Sequence, residues 1–336
     1  MILCSTVATA RSEPTDDGLL LLPKARVFVE YMVKHYRFKR KKLVSILSHA
    51  RYNREVMYNI THPYEKRPWN FYRDCFLTKT RIRNGVDYWK SHRRVLERAY
   101  RIYGIPPEIV VAIIGIETNY GRCTGNYSAL DTLSTLAFCY KSRARFFLFE
   151  LIQFFLLTKE QKLPILLIHS SYAGAIGISQ FMPSTYRHFA VNSSKKEHIN
   201  LIKSNDDAII SVANFLRFHG WKKEYPVAYS FSTSQGFLRF ISEMKREEKA
   251  KKSRIVLCVN NSGTMSLFPI PAVYSFPHTT EELLTLFRRN NCRNFWIVFP
   301  NFFVIMQYNP HKMYAMVVYQ LSRMIHEIYT TNRQRT

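Results

Sequence analysis

Eight consecutive uncharged and mostly apolar residues, Ile109 to Ile116, run straight into a single carboxylate, Glu117. The full string is Gly104-Ile-Pro-Pro-Glu-Ile-Val-Val-Ala-Ile-Ile-Gly-Ile-Glu117-Thr-Asn-Tyr-Gly121. Periodicity alone does not separate a buried helix from a buried strand in such a run. Its ends decide for a helix. Pro106-Pro107 supplies the backbone angle favoured at a helix start, Glu108 puts negative charge in the first turn, and Gly121 offers a stop. A lone Glu at the end of a buried helix has a poorly solvated charged form, so its pKa should rise, and a carboxyl that keeps its proton near neutral pH can act as a general acid. The same segment also reads as a core helix whose terminal Glu pairs with an arginine or a backbone amide, because structural pairs perturb pKa values too.

A chain of 336 residues can hold a large core and two or three subdomains. Its 49 Lys+Arg against 24 Asp+Glu leave a formal charge of +25. That excess attracts anionic partners: nucleic acid, anionic lipid or an acidic cell-wall polymer. It also fits a genome biased towards Lys and Arg. The densest basic run, Arg37-Phe-Lys-Arg-Lys-Lys42, precedes the stripe Leu43, Ile46, Leu47, Ala50 and reads as a solvated helix start. Zinc-finger and aromatic RNA-binding signatures are missing, so nucleic acid is not expected as a partner. Six cysteines are scattered without metal spacing, which permits disulfides without requiring them. The apolar stretch Phe146 to Ile168 is broken by Glu150, Lys159, Glu160 and Lys162 and does not read as a membrane span. Ile2-Leu3-Cys4-Ser5 resembles the last residues of a bacterial lipoprotein signal, with Cys4 as the acylated tether and the true start upstream.

Residues 1–24 read as a polar N-terminal tether. Helical patterns follow from about Ala25 to Tyr58, and a long helix from near Gly85 to Tyr103 carries Val86, Trp89, Leu96, Tyr100 and Tyr103 on one stripe. Asp131 to Leu157 is largely helical, with Asp131 as an N-cap. The loop Ser170-Ser-Tyr-Ala-Gly-Ala-Ile-Gly-Ile-Ser-Gln-Phe-Met-Pro183 has two glycines that let the backbone approach a neighbour, and Pro183-Ser184 opens a short helix. Ile209, Val212, Ala213 and Leu216 mark another helix, stopped at Gly220. Short β-rich runs occupy about Lys222 to Asn301, and Tyr314, Val317, Leu321, Met324 and Ile328 form a closing helical stripe.

Glycosidic cleavage usually needs two carboxylates flanking the bond. Around Glu117 no good second one is apparent: Asp131 starts a helix and Glu150 is mid-helix. A single buried carboxyl points to chemistry in which the substrate supplies its own nucleophile. Gly115-Ile-Glu-Thr-Asn-Tyr-Gly121 and Ala173-Gly-Ala-Ile-Gly-Ile-Ser-Gln-Phe-Met-Pro183 together resemble the lytic murein transglycosylases. Further similar strings are Asn84-Gly-Val-Asp-Tyr-Trp89, Ser211-Val-Ala-Asn214 through His219-Gly-Trp221, and Phe299-Pro-Asn-Phe302 through Tyr308-Asn309 and Tyr314-Ala-Met316. The likeness runs in order from about Phe28 to Ile328 and is weakest from Lys222 to Val298.

The resemblance implies a mainly α, α+β fold: a lysozyme-like catalytic core at 104–221 with 299–314, a helical domain at 25–103 joined by 315–336, and a small β-rich subdomain at 222–298. It implies a monomer without cofactor, acting in the periplasm on peptidoglycan glycan strands. The bond between N-acetylmuramic acid and N-acetylglucosamine would be cleaved without water, Glu117 first protonating the leaving oxygen and then taking the proton of the muramoyl C6 hydroxyl, which closes on C1. Ser171 would orient Glu117 or the N-acetyl group, and Gln180, Phe181 and Met182 would line the cleft. Tyr72 would flank the cleavage point, and Tyr308, Asn309 and Tyr314 would contact sugar. Taken bare, Phe181 and Met182 read as core, the tyrosines as satisfied buried residues and Ser171 as a turn cap.

This chain departs from the family at several places. Ser142-Arg143 stands where two arginines are common, leaving Arg143 alone for a carboxylate of the substrate. Phe146 and Phe215 replace tyrosines. The calcium loop of relatives corresponds to Asn192-Ser-Ser-Lys-Lys-Glu-His-Ile-Asn200, where no Asp opens the loop and Lys196 sits where a ligand oxygen is expected, so no metal is expected. The competing readings are a hydrolytic muramidase on the same fold, a catalytically weak cell-wall-binding scaffold, and a nucleic-acid-binding protein suggested by charge alone.

Overall fold

This computed structural model describes residues 19–62, 68–194, 197–223, 225–231, 255–260, 262–269 and 292–334. Cys4 and Lys196 lie outside them. Among the described residues the chain is mainly helical. The helices are α1 (Pro23–Tyr36), α2 (Arg40–Leu47), α3 (Arg54–Thr61), α4 (Trp69–Phe76), α5 (Lys79–Ser91), α6 (Arg93–Tyr103), α7 (Pro107–Thr118), α8 (Ala129–Cys139), α9 (Ala144–Glu160), α10 (Pro183–Phe189), α11 (Asn205–Phe218), α12 (Pro300–Met306) and α13 (Lys312–Gln334). The strands are β1 (Tyr127–Ser128), β2 (His169–Ser170), β3 (Ala228–Phe231), β4 (Ile255–Asn260), β5 (Met265–Pro269) and β6 (Cys292–Val298). No single described helix is long and apolar enough to cross a membrane. The chain divides into two compact units, one from residues 1–63 with Ile113–Asn214, the other from residues 64–112 with Phe215–Thr336.

The first unit is built on α8 and α9, whose apolar faces supply Leu130, Leu133, Leu136, Phe147, Leu151, Phe154 and Phe155, all buried. Phe28 of α1 packs on Phe155 at 5.4 Å and on Phe138 at 6.1 Å between ring centroids. Leu19, inside the stretch read as a tether, is also buried. The expected N-cap of α8 is corrected: Ser128 is the cap, its Oγ accepting from the Asp131 N–H at 3.2 Å, while Asp131 accepts from the Arg51 N–H at 2.8 Å. Asp131 therefore sits one turn inside the helix, where it holds the segment before α3 and still complements the dipole. The two-residue strands β1 and β2 pair antiparallel, Tyr127 with Ser170 and Ser128 with His169.

The second unit carries an antiparallel sheet of order β3-β6-β4-β5. Its β4–β5 turn abuts the start of α4, where Gly263 O accepts from the Trp69 N–H at 2.9 Å. Asn301, from the string Phe299-Pro-Asn, is fully buried. Its Oδ1 accepts from the Lys222 N–H at 3.0 Å, and its Nδ2 donates to Lys222 O at 2.8 Å and Tyr225 O at 2.6 Å. That string is thus a structural clip.

Two helical expectations need correction. The single helix from Gly85 to Tyr103 is two, broken at His92 (φ −110°, ψ 22°). In α13 the stripe begins as expected at Tyr314, Val317 and Leu321, then passes to Ile325 and Tyr329, leaving Met324 and Ile328 exposed. A straight helix of 3.6 residues per turn drifts off a fixed seven-residue stripe, and Tyr329 is held by stacking on Trp89 at 4.1 Å.

Candidate active site

Glu117 is the penultimate residue of α7 and only 6% exposed. The chain after it turns sharply, Asn119 (φ 48°), Tyr120 (φ 64°) and Gly121 (φ 82°) all being left-handed. Thr118 fastens this turn. Its Oγ1 donates to Ile178 O at 3.0 Å and Ile114 O at 3.2 Å and accepts from the Gly121 N–H at 2.9 Å. Tyr120 folds back over α7 so closely that a Cβ on Gly115 would lie 2.6 Å from its ring. The spacing in Gly115-Ile-Glu-Thr-Asn-Tyr-Gly121 is therefore one of packing: glycine where the ring returns, threonine where the turn is tied down.

Ile178, the acceptor for Thr118, belongs to the loop 171–182. Ile178 N–H donates to Leu201 O at 2.8 Å, and Ile176 N–H to Phe181 O at 2.8 Å. The two glycines make the close approaches expected of them, Gly174 against Leu133 and Gly177 against Leu201 O. Ser171 is buried, and its Oγ accepts from the N–H groups of Ala175 at 3.1 Å and Ala173 at 3.3 Å, which leaves the hydroxyl proton to be donated. Gln180, left-handed at φ 50°, commits its amide N–H groups to Thr124 O at 2.9 Å and Gly177 O at 2.8 Å. Its buried Oε1 has no partner. Phe181 is 2% exposed, and Met182 is half-buried. Arg143 is exposed, its guanidinium 4.3 Å from the Phe146 ring centroid and 5.5 Å from that of Phe147.

The remaining expected residues lie in the second unit. Tyr72 and Tyr314 are fully buried, Tyr72 against Phe76 at 5.1 Å. Tyr308 is half-buried, parallel to Tyr314 at 6.3 Å and edge-on to Phe215 at 5.0 Å. Asn309 Oδ1 accepts from the His311 N–H at 3.3 Å.

Of the carboxylates weighed as partners for Glu117, Asp131 is engaged by Arg51. Glu150, 2% exposed, accepts from Ser184 through both oxygens, Oε2 from the N–H at 2.9 Å and Oε1 from the hydroxyl at 2.6 Å. Burial pushes the Glu150 carboxyl up, against the pull of those two donors. Sequence reading set Glu150 aside, yet it carries the same signal as Glu117: one carboxylate inside an apolar helix.

The mainly helical fold, with Glu117 buried at the end of α7 and Thr118 tied to the glycine-bearing loop, is of the lysozyme-like class. The transglycosylase SLT domain family matches residues 23–323, and the chain belongs to that family, making it a lytic transglycosylase. It is 36% identical over 313 residues to membrane-bound lytic murein transglycosylase B of Escherichia coli (strain K12), covering 90% of this chain and 82% of that one. The crystal structure of soluble lytic transglycosylase SltB1 from Pseudomonas aeruginosa matches with a TM-score of 0.72 at 34% identity, over 91% of this chain and 99% of that one. Escherichia coli lytic transglycosylase Slt35 in complex with calcium matches with a TM-score of 0.72 at 32% identity, over 92% and 95% of the two chains.

Calcium takes six to eight oxygens, carboxylates prominent among them. In the stretch from Asn192 to Asn200, Asn192 Oδ1 accepts from the Ser194 N–H at 2.9 Å, and Glu197 pairs with Lys162 at 2.9 Å. Asn200 Oδ1 accepts from the N–H groups of Ile202 and Lys203, each at 3.1 Å. Buried Asp207 gathers the loop itself, accepting from the Ser193 N–H at 2.9 Å and the Asn200 N–H at 3.0 Å. These residues do not fit a calcium ion: one carboxylate lies within the stretch, and a lysine holds it. Among the described residues no cluster of three or more His, Cys, Asp or Glu could hold a metal.

Proposed function

We propose that the protein cleaves the β-1,4 bond between N-acetylmuramic acid and N-acetylglucosamine of peptidoglycan without water, leaving 1,6-anhydromuramoyl ends. The observation that carries this is the burial of Glu117 at the end of α7, while the two carboxylates weighed as its catalytic partners, Asp131 and Glu150, are engaged by Arg51 and Ser184. One carboxyl then has to serve twice. As an acid Glu117 gives its proton to the glycosidic oxygen as the C1–O bond breaks. As a carboxylate it takes the proton of the C6 hydroxyl while that oxygen bonds to C1. The proton on the enzyme is restored, and no second carboxylate is required.

In this reading the Ser171 hydroxyl donates to Glu117 or to the N-acetyl oxygen, and Arg143, its guanidinium over the Phe146 ring, meets a carboxylate of the substrate. Met182, Tyr308 and Asn309 have surface with which to touch sugar. Gln180, Phe181, Tyr72 and Tyr314, being buried, reach it only with an edge or a polar tip. The name of the Escherichia coli relative supports a place at the cell envelope, and Leu3-Cys4-Ser5 supports acylation of Cys4. Mass analysis of the native N-terminal peptide is expected to find lipid on Cys4, and an unmodified Cys4 would refute the anchor.

The function is tested on purified peptidoglycan. The main products should be muropeptides one water lighter than hydrolysed ones. Reducing-end muramic acid as the main product would instead make the protein a muramidase.

A further inference from the structure

Helix α10 begins without a cap of its own. Its N-cap residue is Met182, which has no oxygen to offer, and Pro183 in the first helical position has no N–H. The first open donor is the Ser184 N–H, and a buried residue of another helix, Glu150 of α9, satisfies it together with the Ser184 hydroxyl. Three residues on, Arg187 reaches back to α9 as well, binding Gln153 and, through Nε and Nη2, Glu160 at 2.8 and 2.6 Å. That second tie is exposed to solvent and correspondingly weak. In the first tie the Glu150 end is buried and the Ser184 end half-buried.

A Ser, Thr or Asp at position 182 would cap α10 locally and leave it free to shift along α9. A carboxylate sent from α9 does both tasks, capping the helix and indexing it. A carboxylate can accept from both Ser184 donors at once, whereas Gln has one acceptor oxygen and keeps the second contact only by donating to a Ser184 hydroxyl that has turned round to accept. The segment held in this way ends in Gln180, Phe181 and Met182. It connects to Thr118, the residue after Glu117, by the bond from Thr118 Oγ1 to Ile178 O, and to Leu201 by the bond from Ile178 N–H to Leu201 O. Tyr186 of α10 adds a third, its hydroxyl accepting from the Leu201 N–H at 2.7 Å and donating to Ile199 O at 3.0 Å.

We propose that Glu150 is a positioning residue of the reaction: buried and bound to both Ser184 donors, it sets the Ser171–Met182 loop against α9, and through Ile178 and Thr118 it sets Glu117, without touching the glycan. This rests on the function proposed above. The test uses the full chain with Glu150→Gln, Ser184→Ala and the double variant, each assayed for glycosidic cleavage well below its own melting temperature. Each single change is expected to lower kcat by about 10- to 100-fold, the scale of a small misplacement of reacting groups, with KM changed less than about twofold. The double variant should be no worse than the poorer single one, because both changes remove the same link. Native kcat in a folded Ser184→Ala protein would overturn the proposal, as would losses that multiply in the double variant. A near-total loss in Glu150→Gln beside a normal Ser184→Ala would overturn it too, by making Glu150 a group of the chemistry itself. If Glu150→Gln does not fold, Ser184→Ala alone decides, native kcat refuting and a kcat-only loss supporting. Hydrolysed products from the native chain would refute the proposed function and leave this comparison intact, since kcat counts bonds broken by either route.

Discussion

Glu117→Gln is expected to abolish cleavage while leaving the fold and the binding of cell wall largely unchanged. The side chain is 6% exposed at the end of a helix whose residues Ile109 to Ile114 are all buried, so a nearly isosteric amide keeps the packing. It removes only the transferable proton. A positioned acid or base contributes about 10²–10⁴-fold to a rate, and here one group acts at both steps, so the loss should reach at least the upper part of that range. Release of muropeptides from purified peptidoglycan reads the activity, sedimentation with insoluble wall reads the binding, and a thermal melt reads the fold. Substantial turnover by Glu117→Gln would remove Glu117 from the chemistry and the site assignment with it. A variant that is inactive and also fails to sediment with the wall would show that the carboxyl serves binding instead.

How far the sequence reaches depends on whether a feature is local. The ends of α7 are legible because proline, first-turn glutamate and glycine act within a few residues, and the apolar run between them leaves no choice of environment. The start of α10 at Pro183 is legible for the same reason. The break at His92 is not, since no Gly or Pro marks it and the hydrophobic pattern continues across it. The cap of α8 is ambiguous in sequence because Ser128 and Asp131 are both plausible caps, and only the tertiary bond from Arg51 separates their roles. Gln180 shows a different limit. Its place in a motif suggests a side chain offered to substrate, but its amide nitrogen is turned into two backbone carbonyls, one of them Thr124 O from a distant part of the chain. Glu150 was hidden by its partner: nothing near it in sequence reveals that Ser184 will supply two donors. Chemistry that a helix end announces can be read early, whereas chemistry that depends on which loop meets which helix cannot.

The same distinction predicts the second large effect, at a residue no motif singled out. Gly125→Ala is expected to destabilise the first unit severely and to lower activity even in the protein that remains folded. At φ 113° the backbone is in a region that side-chain-bearing residues rarely adopt, and an added Cβ would lie 2.2 Å from the carbonyl carbon and oxygen of Ser170 and 2.8 Å from Ser171 N. Those neighbours are backbone atoms of β2 and of the loop that follows, so no side chain can swing aside. Strain of about 1–3 kcal/mol and overpacking of about 1–3 kcal/mol would together remove a large share of a typical stability of about 5–15 kcal/mol. Relief of the clash would have to move Ser170 and Ser171, the second of which is proposed to hold the reacting groups. Gly220→Ala is the matching control: its φ is 94°, but nothing lies within 4 Å of the added Cβ, so it carries strain without the clash. Urea midpoints should therefore fall much further for Gly125→Ala than for Gly220→Ala, and only the former should lose specific activity at low urea. Equal losses in the two variants would assign the whole effect to backbone strain and leave the contact between Gly125 and Ser170 without a role in the site.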